Sequence, residues 1–151
     1  ADSLKHGRAQ AQACLDSGQP RRKWDEMLAA QGAILDKFNQ KLELDHTAPV
    51  VRELSAERDG YVTRCDPRMI GEVVRDLGGG RLTKETVINH DVGVDMLVPP
   101  GEVVSFGSIL CRVHAADSVQ ADAALARLKG AFQVSEFFEQ PAPLIERVIE
   151  M

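Results

Sequence analysis

The chain has 151 residues, 44% of them hydrophobic and 27% charged, with a formal net charge of −5 and a pI near 5.4. That is enough chain for one good core, or for a domain with an appendage. The acidic balance gives no overall pull toward phosphate backbones or anionic lipid, so neither nucleic acid nor a membrane is an expected partner. No apolar run approaches the ~20 residues that span a bilayer, and the N-terminal Ala-Asp-Ser-Leu-Lys-His-Gly lacks an apolar signal-peptide region. Cys14, Cys65 and Cys111 are odd in number and form no Cys-x-x-Cys. A reduced, cytoplasmic setting without a disulfide framework or zinc site is expected.

Ser3 to Leu15 reads as a helix with Leu4, Ala11, Cys14 and Leu15 on one face, stopped by Ser17-Gly18. Pro20 suits the first turn of a second helix, because its missing N–H would be unpaired there anyway. Trp24, Met27 and Leu28 form its stripe and Gln31-Gly32 ends it. Ala33 to Phe38 adds one or two helical turns. These helices are too thinly apolar to be a domain alone, so they are expected to pack on another body. Lys41 to Pro49 is polar and ends in proline, the best candidate for a linker. The chain starts at Ala1 rather than Met, inside a helical pattern. Both facts lead us to expect a fragment or excised domain.

The β-rich part begins at Val50 to Leu54. Asp59-Gly60 is a turn signal and Tyr61 to Cys65 a strand by residue type. Asp66 can cap a helix whose first position is Pro67, and Met69, Ile70, Val73, Val74 and Leu77 give it an apolar stripe. Gly78-Gly79-Gly80 stops it, and Arg81 to His90 reads as a polar loop. Val92 to His114 reads strand, turn, short strand, turn, strand: a first strand that ends in Met96-Leu97-Val98, a short one over 102–106 and a last one over 109–114, separated by turns at Pro99-Pro100-Gly101 and Gly107-Ser108. Asp117-Ser118 caps a last helix with apolar positions at Val119, Ala123, Leu125, Leu128 and Ala131. Phe132 to Val134 is ambiguous, and Leu144 to Met151 suits a terminal strand. The order is helices, then strand-strand-helix-strands-helix-strand, which is α+β with short strands and two crossover helices.

Few residues invite chemistry. Gly78-Gly79-Gly80 follows a helix and so meets its negative C-terminal end; with no Lys-Ser/Thr pair it is not a phosphate-binding P-loop. It reads first as a helix cap with a mobile loop, and second as a loop offering Arg81 or Lys84 to a ligand cleft. Arg21-Arg22-Lys23 beside Asp25 and Glu26 is a solvated helix face. His6, His46, His90 and His114 have no metal-ligand spacing, and the carboxylates mark no acid–base pair. Cys65 and Cys111 read as small core residues. No catalytic, cofactor-binding or metal-binding residue is assigned.

The pattern Pro-Gly-Glu-Val-x-x-x-Gly-x-x-Leu resembles the hammerhead corner of barrel-sandwich hybrids such as biotinyl and lipoyl domains. Those carriers need a lysine at a hairpin tip; here Lys84 lies in Leu-Thr-Lys-Glu, which does not match. A wider pattern runs from Gly60-Tyr61-Val62 through Asp66-Pro67-Arg68 and Asp-Leu-Gly-Gly-Gly-Arg. It continues with Asp91-Val92-Gly93-Val94 and the Pro-Gly-Glu-Val corner, and closes on Cys-Arg-Val-His-Ala. This order resembles the C-terminal domain of the thymidine phosphorylase and pyrimidine-nucleoside phosphorylase family. The resemblance implies an α/β-hammerhead domain over 49–151, a linker over 41–48, and a helical tail of the preceding α/β domain over 1–40. It implies a parent enzyme, cytoplasmic and homodimeric, that splits thymidine with phosphate as co-substrate, giving thymine and 2-deoxyribose 1-phosphate; no cofactor is expected in this chain. The family's phosphate and base sites lie in upstream domains absent from this chain, so the chain alone is expected to be inactive. Only Gly78, Gly79, Gly80, Arg81 and Lys84 are candidates for a cleft edge. The competing expectation is a stand-alone barrel-sandwich-like binding or assembly module without catalysis.

Overall fold

The computed structural model describes residues 3–143 and Ile145. The strand expected over Leu144 to Met151 therefore lies outside the described residues, Ile145 excepted. The chain divides into two compact units, Ala1–Asp45 and His46–Met151.

The first unit holds three helices, α1 (Leu4–Asp16), α2 (Gln19–Ala30) and α3 (Leu35–Leu42). Ser3 caps α1 by accepting from the His6 amide at 3.2 Å, and Pro20 occupies the first turn of α2, where it costs no hydrogen bond. The third helix runs on to Leu42, into the segment whose polarity had suggested a linker. Its apolar residues and an Asp36-to-Lys41 polarity that suits the helix dipole carry it there. None of the three helices buries a residue. Trp24 and Phe38 meet at 6.4 Å between ring centroids, but Leu4 and Leu15 remain exposed.

The second unit is α+β. Its described strands are β1 (Val50–Ser55), β2 (Gly60–Cys65), β3 (Gly93–Asp95), β4 (Val103–Val104), β5 (Ile109–Ala115) and β6 (Phe132–Ser135). They form two antiparallel sheets, in the orders β1-β5-β3 and β4-β2-β6. Two helices, α4 (Pro67–Val74) and α5 (Ser118–Leu128), complete it; α5 packs on α4, β1 and β5. On β5 the alternation Cys111, Val113, Ala115 is wholly buried, and these residues share a core with Val62, Val73 and Leu128. Burying each large apolar side chain contributes about 1.5–3 kcal/mol.

The Pro99–Gly101 and Phe106–Gly107 turns carry the chain from the first sheet to the second and back. The corner is held by backbone hydrogen bonds: Gly101 to Val62 at 2.7 Å, Val62 to Glu102 at 2.9 Å and Gly107 to Ala56 at 2.9 Å. The Asp59 carboxylate also accepts from the Phe106 amide at 2.6 Å. Gly60 is needed because its φ is 148° and a Cβ would sit 2.4 Å from the Ser135 carbonyl oxygen.

Three expectations need correction. The strand before the corner is 93–95 and does not run on through Met96, Leu97 and Val98. Met96 takes a φ of 52°, which breaks the ladder, and Val94 and Asp95 instead pair with Val113 and Arg112. The strand expected over 102–106 shrinks to Val103–Val104, leaving Phe106 exposed. On α5 the buried face is Ala121, Ala124 and Leu128, whereas Val119 is 79% exposed. Positions 121, 124 and 128 are spaced three and four apart and so share one face, and Val119, two residues before Ala121, falls on the opposite one. The ambiguous Phe132–Val134 is part of β6, paired to β2.

Candidate functional site

Two places in the second unit combine polar groups with defined geometry. The first is the segment following α4. The Asp66 carboxylate accepts from the amides of Arg68 and Met69 at 3.0 and 3.1 Å, which starts the helix cleanly. Those amide bonds, together with Arg64, hold the Asp66 carboxyl below its ordinary range. Ile70 and Val73 bury the inner face. The helix ends in a wider, π-type turn, Arg75–Gly79, with Leu77 turned into the core. Gly78 takes a φ of 99°, a conformation that favours glycine, and its carbonyl accepts from the Asn89 amide at 2.9 Å. That hydrogen bond joins the two ends of the loop. Gly79 lies so close to Val74 and Val92 that a Cβ would meet them at 3.0–3.4 Å.

Arg81 and Lys84 are exposed in this loop. The Thr83 amide donates to the Thr86 hydroxyl at 2.9 Å, giving the tip a local turn. Backbone amides at a helix N-terminus would attract an anion, but here the helix presents its carbonyl end. The basic side chains this loop exposes are those of Arg81 and Lys84.

The second place is a polar cluster that the sequence did not single out. Asp95 on β3 stands opposite Arg112 on β5 and accepts from its Nε at 2.9 Å and from a terminal nitrogen at 2.7 Å. Two residues along β5, on the same face, the buried His114 places Nε2 3.0 Å from Asp95 Oδ1. This is ionic range, though not aligned as a hydrogen bond. The His46 ring stands 6.1 Å from that of His114, tilted by 53°. Arg112's two hydrogen bonds, aided by His114, hold the Asp95 carboxyl at about 2. A carboxylate so firmly ionised is a poor proton acceptor near neutrality, so the cluster ties β3 to β5. The signal for it was the same-face pairing of Asp95 with Arg112 and His114, visible only once the β3–β5 register is known.

Burial pushes the Cys111 thiol up to about 12 and raises that of Cys65, so neither is an activated nucleophile. His90 lies exposed in the loop, and His6 lies on α1. No group of three or more His, Cys, Asp or Glu among the described residues could hold a metal ion. A cavity of about 200 Å³ is lined by Leu54, Leu110, Phe132 and Val134, with Glu57 and Lys129 paired at 2.9 Å. No helix among the described residues is long and apolar enough to cross a membrane.

Residues 61–135, from β2 through β6, match the family model of the pyrimidine nucleoside phosphorylase C-terminal domain. This chain carries a member of that domain family. The matched span includes both places just described. The chain is 32% identical over 145 residues to a thymidine phosphorylase of Colwellia psychrerythraea, covering 96% of this chain and 33% of that protein. It is 35% identical over 136 residues to a thymidine phosphorylase of Sinorhizobium fredii, covering 90% and 31%. A third, from Agrobacterium fabrum, is 32% identical over 149 residues, covering 98% and 34%. The chain thus spans about a third of the length of these relatives.

Proposed function

We propose that this chain is the C-terminal part of a thymidine phosphorylase-like pentosyltransferase. The reaction is thymidine plus phosphate to thymine plus 2-deoxyribose 1-phosphate. The observation that carries this reading is the domain-model match over 61–135 together with identities of 32–35% to thymidine phosphorylases, of which the chain spans about a third. Residues 1–40 are the helical tail of the preceding α/β domain, 41–48 a linker and 49–151 the C-terminal domain, an α/β-hammerhead. The two sheet-to-sheet crossings around Gly101 and Gly107 support that architecture.

Phosphorolysis needs a phosphate oxygen held in line with the anomeric carbon of the sugar, and such positioning supplies much of the rate. Nothing described in this chain offers an anion cradle of buried donors. The catalytic groups are therefore assigned to the upstream domains of the same polypeptide, in a cytoplasmic homodimer. Phosphate is the co-substrate of that enzyme, and this chain contributes no cofactor site. The loop Gly78-Gly79-Gly80-Arg81 with Lys84 lies at the edge of that cleft, where its two cations draw in anionic phosphate.

The test has two arms. The 151-residue chain by itself should release no thymine from thymidine and phosphate. Clear turnover by pure chain would overturn the assignment of catalysis upstream. In the polypeptide that carries the upstream domains, Arg81→Ala should raise the KM for phosphate severalfold. If KM and kcat both stay unchanged, the cleft-edge assignment is wrong.

A further inference from the structure

We propose that Arg127 is a positioning residue for the Gly78–Lys84 loop: from α5 it grips the turn by which that loop leaves α4. One terminal nitrogen of Arg127 contacts Asp76 Oδ2, and the other lies 3.5 Å from Glu72 Oε2. The other oxygen of Asp76 accepts from Arg75 at 2.9 and 3.0 Å, and Arg68 donates to Glu72 at 3.2 Å. One guanidinium on α5 thus bridges two carboxylates one turn apart on α4 and its terminal turn. Asp76 stands two residues before Gly78, the point at which the chain reverses.

The bridge lies beside a groove of about 120 Å³ between α4 and α5, lined by Val73, Leu77 and Ala124 as well as by Asp76 and Arg127. Leu77 and Val73 hold the turn from inside, and Arg127 holds it from outside. An isolated, half-exposed ion pair contributes little, whereas a planar guanidinium shared by two carboxylates fixes orientation as well as distance. The loop closes on itself through the Asn89–Gly78 hydrogen bond, so the direction in which it leaves the domain follows the direction of the turn. A loop displaced at its stem moves Arg81 and Lys84 together. The clamp rests on the contacts above; its bearing on catalysis rests on the cleft-edge reading of the preceding subsection.

The Asn89 amide is the reporter, because its protection depends on the loop stem. Native-state hydrogen exchange is measured in the 151-residue chain and in Arg127→Ala, Asp76→Asn and the double variant. Either single change should speed Asn89 exchange about two- to fivefold, the range for losing a bridging ion pair. The double variant should be accelerated by less than the product of the two single effects, because the Arg127–Asp76 contact is lost in both. Exchange at Val113 and Leu128 in the core should not change. Unchanged Asn89 exchange in Arg127→Ala would overturn the clamp. So would equal acceleration at Asn89, Val113 and Leu128, since Arg127 would then act on global stability. In the polypeptide with its upstream domains, Arg127→Ala should raise KM for phosphate while leaving kcat within about twofold. If Asn89 exchange rises while KM and kcat stay put, the clamp stands and the cleft-edge reading fails instead.

Discussion

Asp95→Asn removes the charge on which the β3–β5 cross-strand cluster depends while keeping the side chain's shape. In the folded chain the Asp95 carboxyl is lowered from 3.8 to about 2, chiefly by its hydrogen bonds from Arg112. Taken at face value, that shift corresponds to roughly 2.4 kcal/mol. The Asp95 side chain is 44% exposed, however, and Arg112 is 14% exposed, so solvent screens part of the interaction. We expect a loss of about 1–1.5 kcal/mol at pH 7, with a fall in Tm of about 5 °C or more. A depressed carboxyl contributes fully above its unfolded value of 3.8 and loses that contribution as pH falls through about 2. The stability gap between the native chain and Asp95→Asn should therefore stay constant from pH 7 to 5 and narrow below about pH 4. Urea unfolding of both proteins at pH 7, 5 and 3 measures this. A gap below about 0.5 kcal/mol at pH 7, or one undiminished at pH 3, would refute the assignment of the low pKa to this cluster.

Gly60→Ala should destabilise the chain by about 3 kcal/mol or more, adding backbone strain to a clash with the Ser135 carbonyl. Gly93→Ala, where a Cβ would meet nothing within 4 Å, should stay within about 0.5 kcal/mol of the native chain; comparable losses in the two urea curves would contradict this account. A thiol reagent at pH 8 should label the exposed Cys14 quickly and Cys111 only after denaturant is added; rapid labelling of Cys111 in the folded chain would show that its burial is overstated. Amides of α1, α2 and α3, which bury no residue, should exchange faster than those of β5 and α5, and mass spectrometry of peptic peptides would expose equal protection if the helical unit is stable on its own.

Local signals that depend on one residue's chemistry were legible without a structure. Asp66-Pro67 starts α4, Asp117 caps α5, Ser17-Gly18 separates α1 from α2, and Gly101 and Gly107 turn the corner, as their residue types predict. Capping carboxylates, a proline without an N–H and glycines free to take positive φ act through their immediate neighbours, so the string of residues is sufficient. The α+β class followed from the order of those elements. The combined order of short motifs from Gly60 to Ala115 was also enough to suggest the domain family that residues 61–135 match.

Where a choice depended on residues distant in sequence, the string was not enough. Met96, Leu97 and Val98 are as apolar as a strand should be, yet the strand is 93–95. What decides it is the register that sets Val94 against Val113 and Asp95 against Arg112. Val119 outranks Ala121 and Ala124 in hydrophobicity, yet it faces out because it stands about 200° around the helix from Ala121, opposite the face that Ala121, Ala124 and Leu128 turn inward. The Arg127 bridge joins residues 51 and 55 positions apart, and the Asp95–Arg112 pair spans 17. Sequence by itself determined where α4 and α5 start, where α1 stops and where the corner turns, because those are local events. The tertiary structure decided which face is buried and which charges meet, because burial and pairing depend on what the rest of the chain places opposite.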